Sequence, residues 1–517
     1  MRESTFHPRR PALVLGLLFL AVLGVGGGLA WWLAARGLRS PLRVLLITPS
    51  PGPSAGPGAD SGEGLGASLD PASCRALGAL VQDHLEAFGQ AAVTSVTELP
   101  ADLEDLRTQA QTLVVELQPS RQGEALALSY RYAWGDGLTK GMPPSWKRVQ
   151  APPLKPAEAF ETFLGGFPKR IRVPSASPLV PQQPACFWDL IQAGAWRLRN
   201  EHLDEALALA ERSAAAEPSC ASAWILIGNL RYRRMLNNPA AFRQEQAETE
   251  NLIQRGLDLA PYHPRGLFLL SLLKTDGGDQ GEALDLLMQA RRRQPYNPTL
   301  LTGIAYAARG AGLLPLARRA MDLRDRLAFA HLQPQAVDIT CLYTGEIQRF
   351  EASLQEQPGH LRSTSGVLPF YRGYLALVLG DQARAQREFK TAGTLANGYP
   401  NIRRLSQIYD LILEGRKDEA WKRLREYDQE RIGMREPDGE FTLRLAEAYA
   451  LIGDRASAMD MAGRAFARGF GCTAWYERSP MLEPLRGLPK WKALLQHLKE
   501  RQSLMEDRFP IGLLEDN

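Results

Sequence analysis

Polar and apolar positions divide the chain into stretches of different period. From Ala12 to Ala35 no residue is charged and most are apolar, which meets the requirement of about 20 residues for a helix that crosses a bilayer. Arg9 and Arg10 precede this run, Arg36, Arg39 and Arg43 follow it, and Trp31 and Trp32 stand where indoles favour the membrane interface. The flanking charges nearly balance. The tail before the run is short and about 480 residues follow, so a signal anchor is expected, with its amino terminus inside and its body outside. The run exceeds the roughly 7–15-residue core of a cleaved leader, and no clean A-x-A site precedes a polar start. Gly24 and Gly28 form a GxxxG pair that admits close approach of a second helix, and so a dimer through the membrane segment. Glycine is also common in membrane helices without that role.

From 42 to 167 the pattern changes to short β-branched or alternating runs around amphipathic ones. Val44–Thr48 predicts a buried strand, and the Pro/Gly/Ser-rich stretch Pro49–Ser68 a loop. That loop lacks the lysine of a phosphate-binding motif. Asp70-Pro71 supplies a helix start, Leu77, Leu80, Val81, Leu85 and Phe88 recur at helical spacing, and Gly89 gives a stop. Ala92–Val96 and Thr112–Gln118 predict strands, with a short helix near Leu103–Ala110 between them. A turn at Pro119–Glu124 then leads into the alternating strand Ala125–Trp134. The helix Pro156–Phe167 would cover one face of the sheet before a Pro-rich linker, 168–184. The order β-α-β-α-β-β resembles the TolB amino-terminal-like, or FlgO-like, domain of bacterial membrane regulators that also carry tetratricopeptide repeats. Thr48-Pro49 and Glu116-Leu117-Gln118 depart from that family's usual residues at those places.

From Ala185 to Arg501 the period is helical, and it repeats. The segment Pro264–Asn297 shows it most clearly: Leu267, Leu270 and Ser271 mark a first helix, Ala283, Leu287 and Ala290 a second, and Pro295 closes the unit. Leu190, Ala193, Gly194, Ala206, Ala210 and Pro218 fit the same frame upstream. Trp224, Ile227 and Gly228 open a copy lengthened around Asn237-Asn238-Pro239. Further copies follow, with an irregular stretch near Ala330–Ser365. This register resembles the tetratricopeptide repeat of about 34 residues, in about seven copies. The stretch from Ser479 to Arg501 resembles the capping ends of bacterial members, and 502–517 forms a tail. Each helical hairpin is too small to bury its apolar face alone, and stacking makes one continuous core. The fold class expected is therefore mainly α: a tetratricopeptide solenoid preceded by one transmembrane helix and a small α/β domain.

In that family the first helix of each pair lines a concave face. The resemblance therefore implies partner contacts at Tyr232, Arg265, Phe268, Tyr306, Arg309, Phe370, Tyr374 and Tyr409, an aromatic groove with basic edges suited to a peptide or helix. The competing reading is that these side chains pack against neighbouring helices.

Composition narrows the function. The 61 Lys+Arg against 57 Asp+Glu leave a formal charge of +4, too mild for a nucleic-acid groove. Five cysteines form no CxxC pair and no Cys/His cluster, and the seven histidines are isolated, so neither a disulfide framework nor a metal centre is expected. No nucleophile, cofactor loop or paired-carboxylate motif is evident, and no cofactor or enzymatic activity is expected. The reading that results is a scaffold or adaptor in the inner membrane, with its bulk extracytoplasmic, that binds other proteins or peptides. The alternative is a sensory subunit that passes a signal to a separate kinase, cyclase or transcription factor.

Overall fold

The computed structural model describes residues 42–48, 67–88, 91–96, 112–134, 147–149, 153–166, 177–197, 200–237, 239–327, 337–354, 366–395, 400–432 and 439–515. The expected membrane segment Ala12–Ala35, with Gly24 and Gly28, lies outside them, as does the helix expected at Leu103–Ala110. Among the described residues no helix is long and apolar enough to cross a membrane.

The amino-terminal part is a sheet in the order β3-β1-β4-β5-β6. Its strands are β1 (Leu42–Ile47), β3 (Ala91–Val96), β4 (Thr112–Gln122), β5 (Ala125–Trp134) and β6 (Lys147–Val149), with the short β2 (Ala67–Ser68) also on β4. β1 and β4 pair in parallel, β4 and β5 antiparallel. Consecutive residues Val44–Leu46 and Leu113–Val115 are buried without alternation, as expected of central strands covered on both faces. The helices α1 (Pro71–Phe88) and α2 (Pro156–Gly165) pack on this sheet. Asp70 Oδ1 accepts from the N–H groups of Ala72 and Ser73 and caps α1.

The turn expected over Pro119–Glu124 is narrower than its composition suggests. β4 runs on to Gln122, and Gly123-Glu124 makes a two-residue hairpin turn with Gly123 at φ 59°. Pro119 lies inside the strand, opposite Leu128. It falls between the β1 pairing, which ends at Glu116, and the β2 pairing, which begins at Ser120, so β4 has no partner on that side at Pro119.

From Pro184 onward the protein is helical. α3 (Pro184–Trp196) pairs with α4 (Leu203–Ala216), α5 (Ala221–Asn237) with α6 (Pro239–Leu259), α7 (Pro264–Asp276) with α8 (Gln280–Arg293), and α9 (Pro298–Ala311) with α10 (Leu314–Leu327). Two short helices, α11 (Ile339–Thr344) and α12 (Ile347–Ser353), fall in the stretch expected to be irregular. The pairs α13 (Val367–Val378) with α14 (Gln382–Thr394), α15 (Pro400–Leu413) with α16 (Lys417–Ile432), and α17 (Gly439–Ile452) with α18 (Arg455–Ala467) follow, then α19 (Thr473–Arg478) and α20 (Pro489–Arg508).

Missing side chains let these helices touch. A Cβ at Gly228 on α5 would overlap Ile253 of α6, and one at Gly373 on α13 would stand 3.0 Å from the Phe389 ring of α14. Between the helices of a pair, Gly380 and Gly453 take φ of 79° and 104°, and the next residue, Asp381 or Asp454, caps the second helix by accepting from Arg384 N or Ser457 N.

The carboxyl-terminal elements also pack back on the middle of the array. Gly471 N donates to Gly310 O at 2.7 Å, Arg309 pairs with Glu440 at 3.1 Å, and Arg291 donates to Leu513 O at 3.0 Å.

Candidate functional site

The eight side chains expected to line a groove are held by contacts within the protein. Phe370, Tyr374 and Tyr409 are 0% exposed. Tyr232 and Tyr306, both half-buried, donate to the two oxygens of one carboxylate, Asp276, each at 2.7 Å. The ring of Phe268 lies over the bare Cα of Gly303. Arg309 is engaged by Glu440, and Arg265 by Asp83 at 3.3 Å.

Beneath the buried aromatics lies an ionic network built by α17. Its spacing places Glu440, Arg444 and Glu447 on one side of the helix, at i, i+4 and i+7. Glu447, fully buried, accepts from the Tyr374 hydroxyl at 2.7 Å, Trp475 Nε1 at 3.0 Å, Ser479 Oγ at 2.8 Å and Arg444 at 3.2 Å. Arg444 also donates to the Tyr343 and Tyr374 hydroxyls, and Tyr343 donates to Glu440. Burial alone would raise the Glu440 carboxyl, but Arg309 and Arg444 outweigh it and hold it below the usual carboxylate range. Burial drives the Tyr343, Tyr374 and Tyr409 hydroxyls well above their ordinary value, so they stay protonated and donate. Every member of this network has a partner, and its position between α11, α13, α17 and α19 identifies it as internal glue.

The open feature lies elsewhere, where α1 meets α3, α5 and α7. Beside the cleft, α3 is tied to the β4–β5 hairpin and α5 to the segment that precedes α3. Trp188 Nε1 donates to Glu124 O at 3.0 Å with the Arg121 guanidinium 4.3 Å from its ring, and Ala221 N donates to Pro178 O at 2.8 Å. Between α1 and the helices α3, α5 and α7 is a cleft of about 360 Å³. Leu80, Leu190, Ile225 and Leu226 give it apolar walls, and Ala72, Ala76 and Ala79 present the small-residue face of α1 to it. α1 and α3 nearly touch at one point, where a Cβ on Gly194 would stand 3.2 Å from that of Ala76.

The polar lining of the cleft is unbalanced. Arg75, Arg197 and Arg265 are three guanidinium groups against the one carboxylate of Asp83, and Arg265 already holds that carboxylate. Arg197 makes no hydrogen bond or ion pair with any described residue. Burial, with repulsion from Arg265 and Arg233 only partly offset by Asp83, lowers its pKa to about 9. His263 is buried, and burial holds it down to about 4, so it is neutral at pH 7. Its Nδ1 accepts from Gly266 N at 3.4 Å while Nε2 lies 3.4 Å from Ser222 Oγ. The ring proton therefore sits on Nε2 and is given to Ser222, whose own hydroxyl hydrogen is left to donate. Arg265 is the one groove residue of the sequence reading that lines this cleft. Arg197, Asp83 and His263 lie far apart in the chain and carry no shared motif, whereas Glu440, Arg444 and Glu447 stand out as charges among Leu443, Leu445, Ala446 and Ala448.

No protein-family model matches the chain, and no curated protein does. Among solved structures it is similar to the crystal structure of the P58(IPK) TPR domain, at 13% identity over 62% of this chain and 99% of that one, with a TM-score of 0.18. The repeat architecture described above rests on the hairpins, their glycine contacts and their capped turns.

Proposed function

We propose that this protein is a membrane-tethered interaction scaffold whose helical array holds partner proteins at the membrane surface. The observation that supports this reading is the array itself. Successive hairpins pack their apolar faces together in a series of adjoining cores, and this stacking produces the extended surface that repeat proteins use to bind partners. The tether is the apolar run Ala12–Ala35, with the bulk of the chain extracytoplasmic, and Gly24 and Gly28 provide a face for pairing two anchors. Because the inner aromatics are occupied, partner contact falls to outward positions such as Leu379, Trp421 and Leu504, which are 53%, 38% and 70% exposed.

The test is photo-crosslinking in the native membrane from a benzoylphenylalanine placed at each of those three positions in turn, followed by mass spectrometry. A scaffold yields a reproducible partner that recovers this protein when it is itself purified, with crosslinks mapping to the array. Absence of any reciprocal partner from all three sites, and from whole-chain chemical crosslinking, would refute the reading. The regulatory-subunit alternative draws its support from the cleft beside α1, which has the dimensions of a small-molecule site.

A further inference from the structure

We propose that the cleft between α1 and the helices α3, α5 and α7 binds a small amphipathic anion, an apolar body carrying a carboxylate or phosphate head.

The argument begins with the unpaired cation. Even half-buried, as Arg197 is, a guanidinium partly withdrawn from water without an opposing charge is costly, and native proteins ordinarily answer it with a carboxylate. Arg197 has no such partner, and the nearest carboxylate, Asp83, is already held by Arg265 through both of its oxygens. The imbalance extends beyond this one side chain. Arg75 stands exposed on the cleft, and the neutral His263 contributes no charge. An anion entering here meets a lining of net positive charge, a planar fork suited to carboxylate or phosphate, and the Ser222 hydroxyl as an uncharged donor. A cation meets repulsion.

The walls fix the remainder of the ligand. Leu80, Leu190, Ile225 and Leu226 offer no hydrogen bond, and the alanines of α1 leave space that longer side chains would fill. A volume of about 360 Å³ has room for on the order of a dozen water-sized groups. Fully polar ions such as sulfate would leave those walls against water, whereas a short alkyl or aryl chain covers them. The site is separate from partner capture: loss of one activity leaves the other standing, and the two experiments read different quantities.

The test is isothermal titration of the full chain in phosphatidylcholine nanodiscs, with empty nanodiscs as blank and hexanoate, hexyl phosphate, hexan-1-ol and hexylamine as probes. One of the two anions should bind with one site per chain and at least tenfold more tightly than hexanol, while hexylamine gives no heat above the blank. The preferred anion assigns the head group. Arg197→Met should weaken that binding at least tenfold yet leave the unfolding temperature unchanged or higher, because it removes an unpaired, half-buried charge. Ala79→Phe, which fills the cleft from a half-buried position on α1, should abolish binding. Arg416→Ala, on an exposed turn, should leave it unchanged. The proposal is overturned if neither anion exceeds the blank, or if Arg197→Met and Ala79→Phe bind as the parent does.

Discussion

At the scale of single residues, the most consequential groups are polar ones out of contact with water. Glu447→Ala would remove the acceptor for Tyr374, Trp475 and Ser479 and leave Arg444 buried beside one fewer carboxylate. Breaking such a buried pair costs about 3–5 kcal/mol, so the urea midpoint should fall sharply. Restoring an apolar interior with Glu447→Leu and Arg444→Met together should recover part of the loss. Two histidines make a pH prediction. Burial holds both His84 and His263 down to about 4 from an ordinary 6.5, so the folded chain binds fewer protons than the unfolded chain between those values. Their contribution is whole above about pH 6.5, declines as the pH falls towards 4, and changes no further below that. Chemical denaturation at pH 7.5, 6, 5 and 4 should show this decline as the difference between the parent and the double variant His84→Gln, His263→Gln, a comparison that cancels the opposite trend of buried Glu86, whose carboxyl burial raises to about 8. Thiols offer a third check. All five cysteines are buried and free, and burial pushes Cys220 and Cys472 up to about 12, so iodoacetamide should label none of them before unfolding.

At the scale of elements, the repeating unit depends on two glycine positions with opposite reasons for lacking a side chain. Gly453 has open space around it but a φ of 104°, so Gly453→Ala strains the backbone alone and should cost about 1–3 kcal/mol. Gly228 has an ordinary φ but no space, so Gly228→Val should force α5 and α6 apart by steric overlap with Ile253 and lower the melting temperature through lost packing. Comparing each variant in thermal denaturation separates the two causes. The hairpins are legible in the sequence because a 3.6-residue period and a recurrent small residue survive within each local window, as the segment Pro264–Asn297 shows. β2 and β6 are not, because two or three residues carry no period. The fate of Tyr374 and Tyr409 is equally hidden, since a tyrosine facing inward from a first helix reads the same whether a ligand or Glu447 and Arg444 lies opposite. Burial of that surface is decided by residues some 35 to 73 positions away, which no local pattern reports. The cleft was legible only through Arg265; its other charged members come from separate elements.

At the scale of the whole molecule, the proposed tether Ala12–Ala35 would stand ahead of a large folded body. Extracytoplasmic placement predicts that protease added to spheroplasts degrades the array, while intact cells protect it and carbonate extraction leaves the chain with the membrane. Cleavage only after the spheroplasts are lysed would put the body on the other side.

The bond from Gly471 to Gly310 and the pair Arg309–Glu440 have a consequence for how such a chain can change over time. Open arrays tolerate the gain or loss of a unit because each touches only its neighbours. Here the elements between α9 and α19 are spanned by contacts at both ends, so inserting or deleting one hairpin would carry Gly471 away from Gly310 by the thickness of a unit. Copy number in that interval is thereby locked. Duplications within that interval should be rejected; folding of the locked interval should be all-or-none, its rate set by closing a loop of more than a hundred residues.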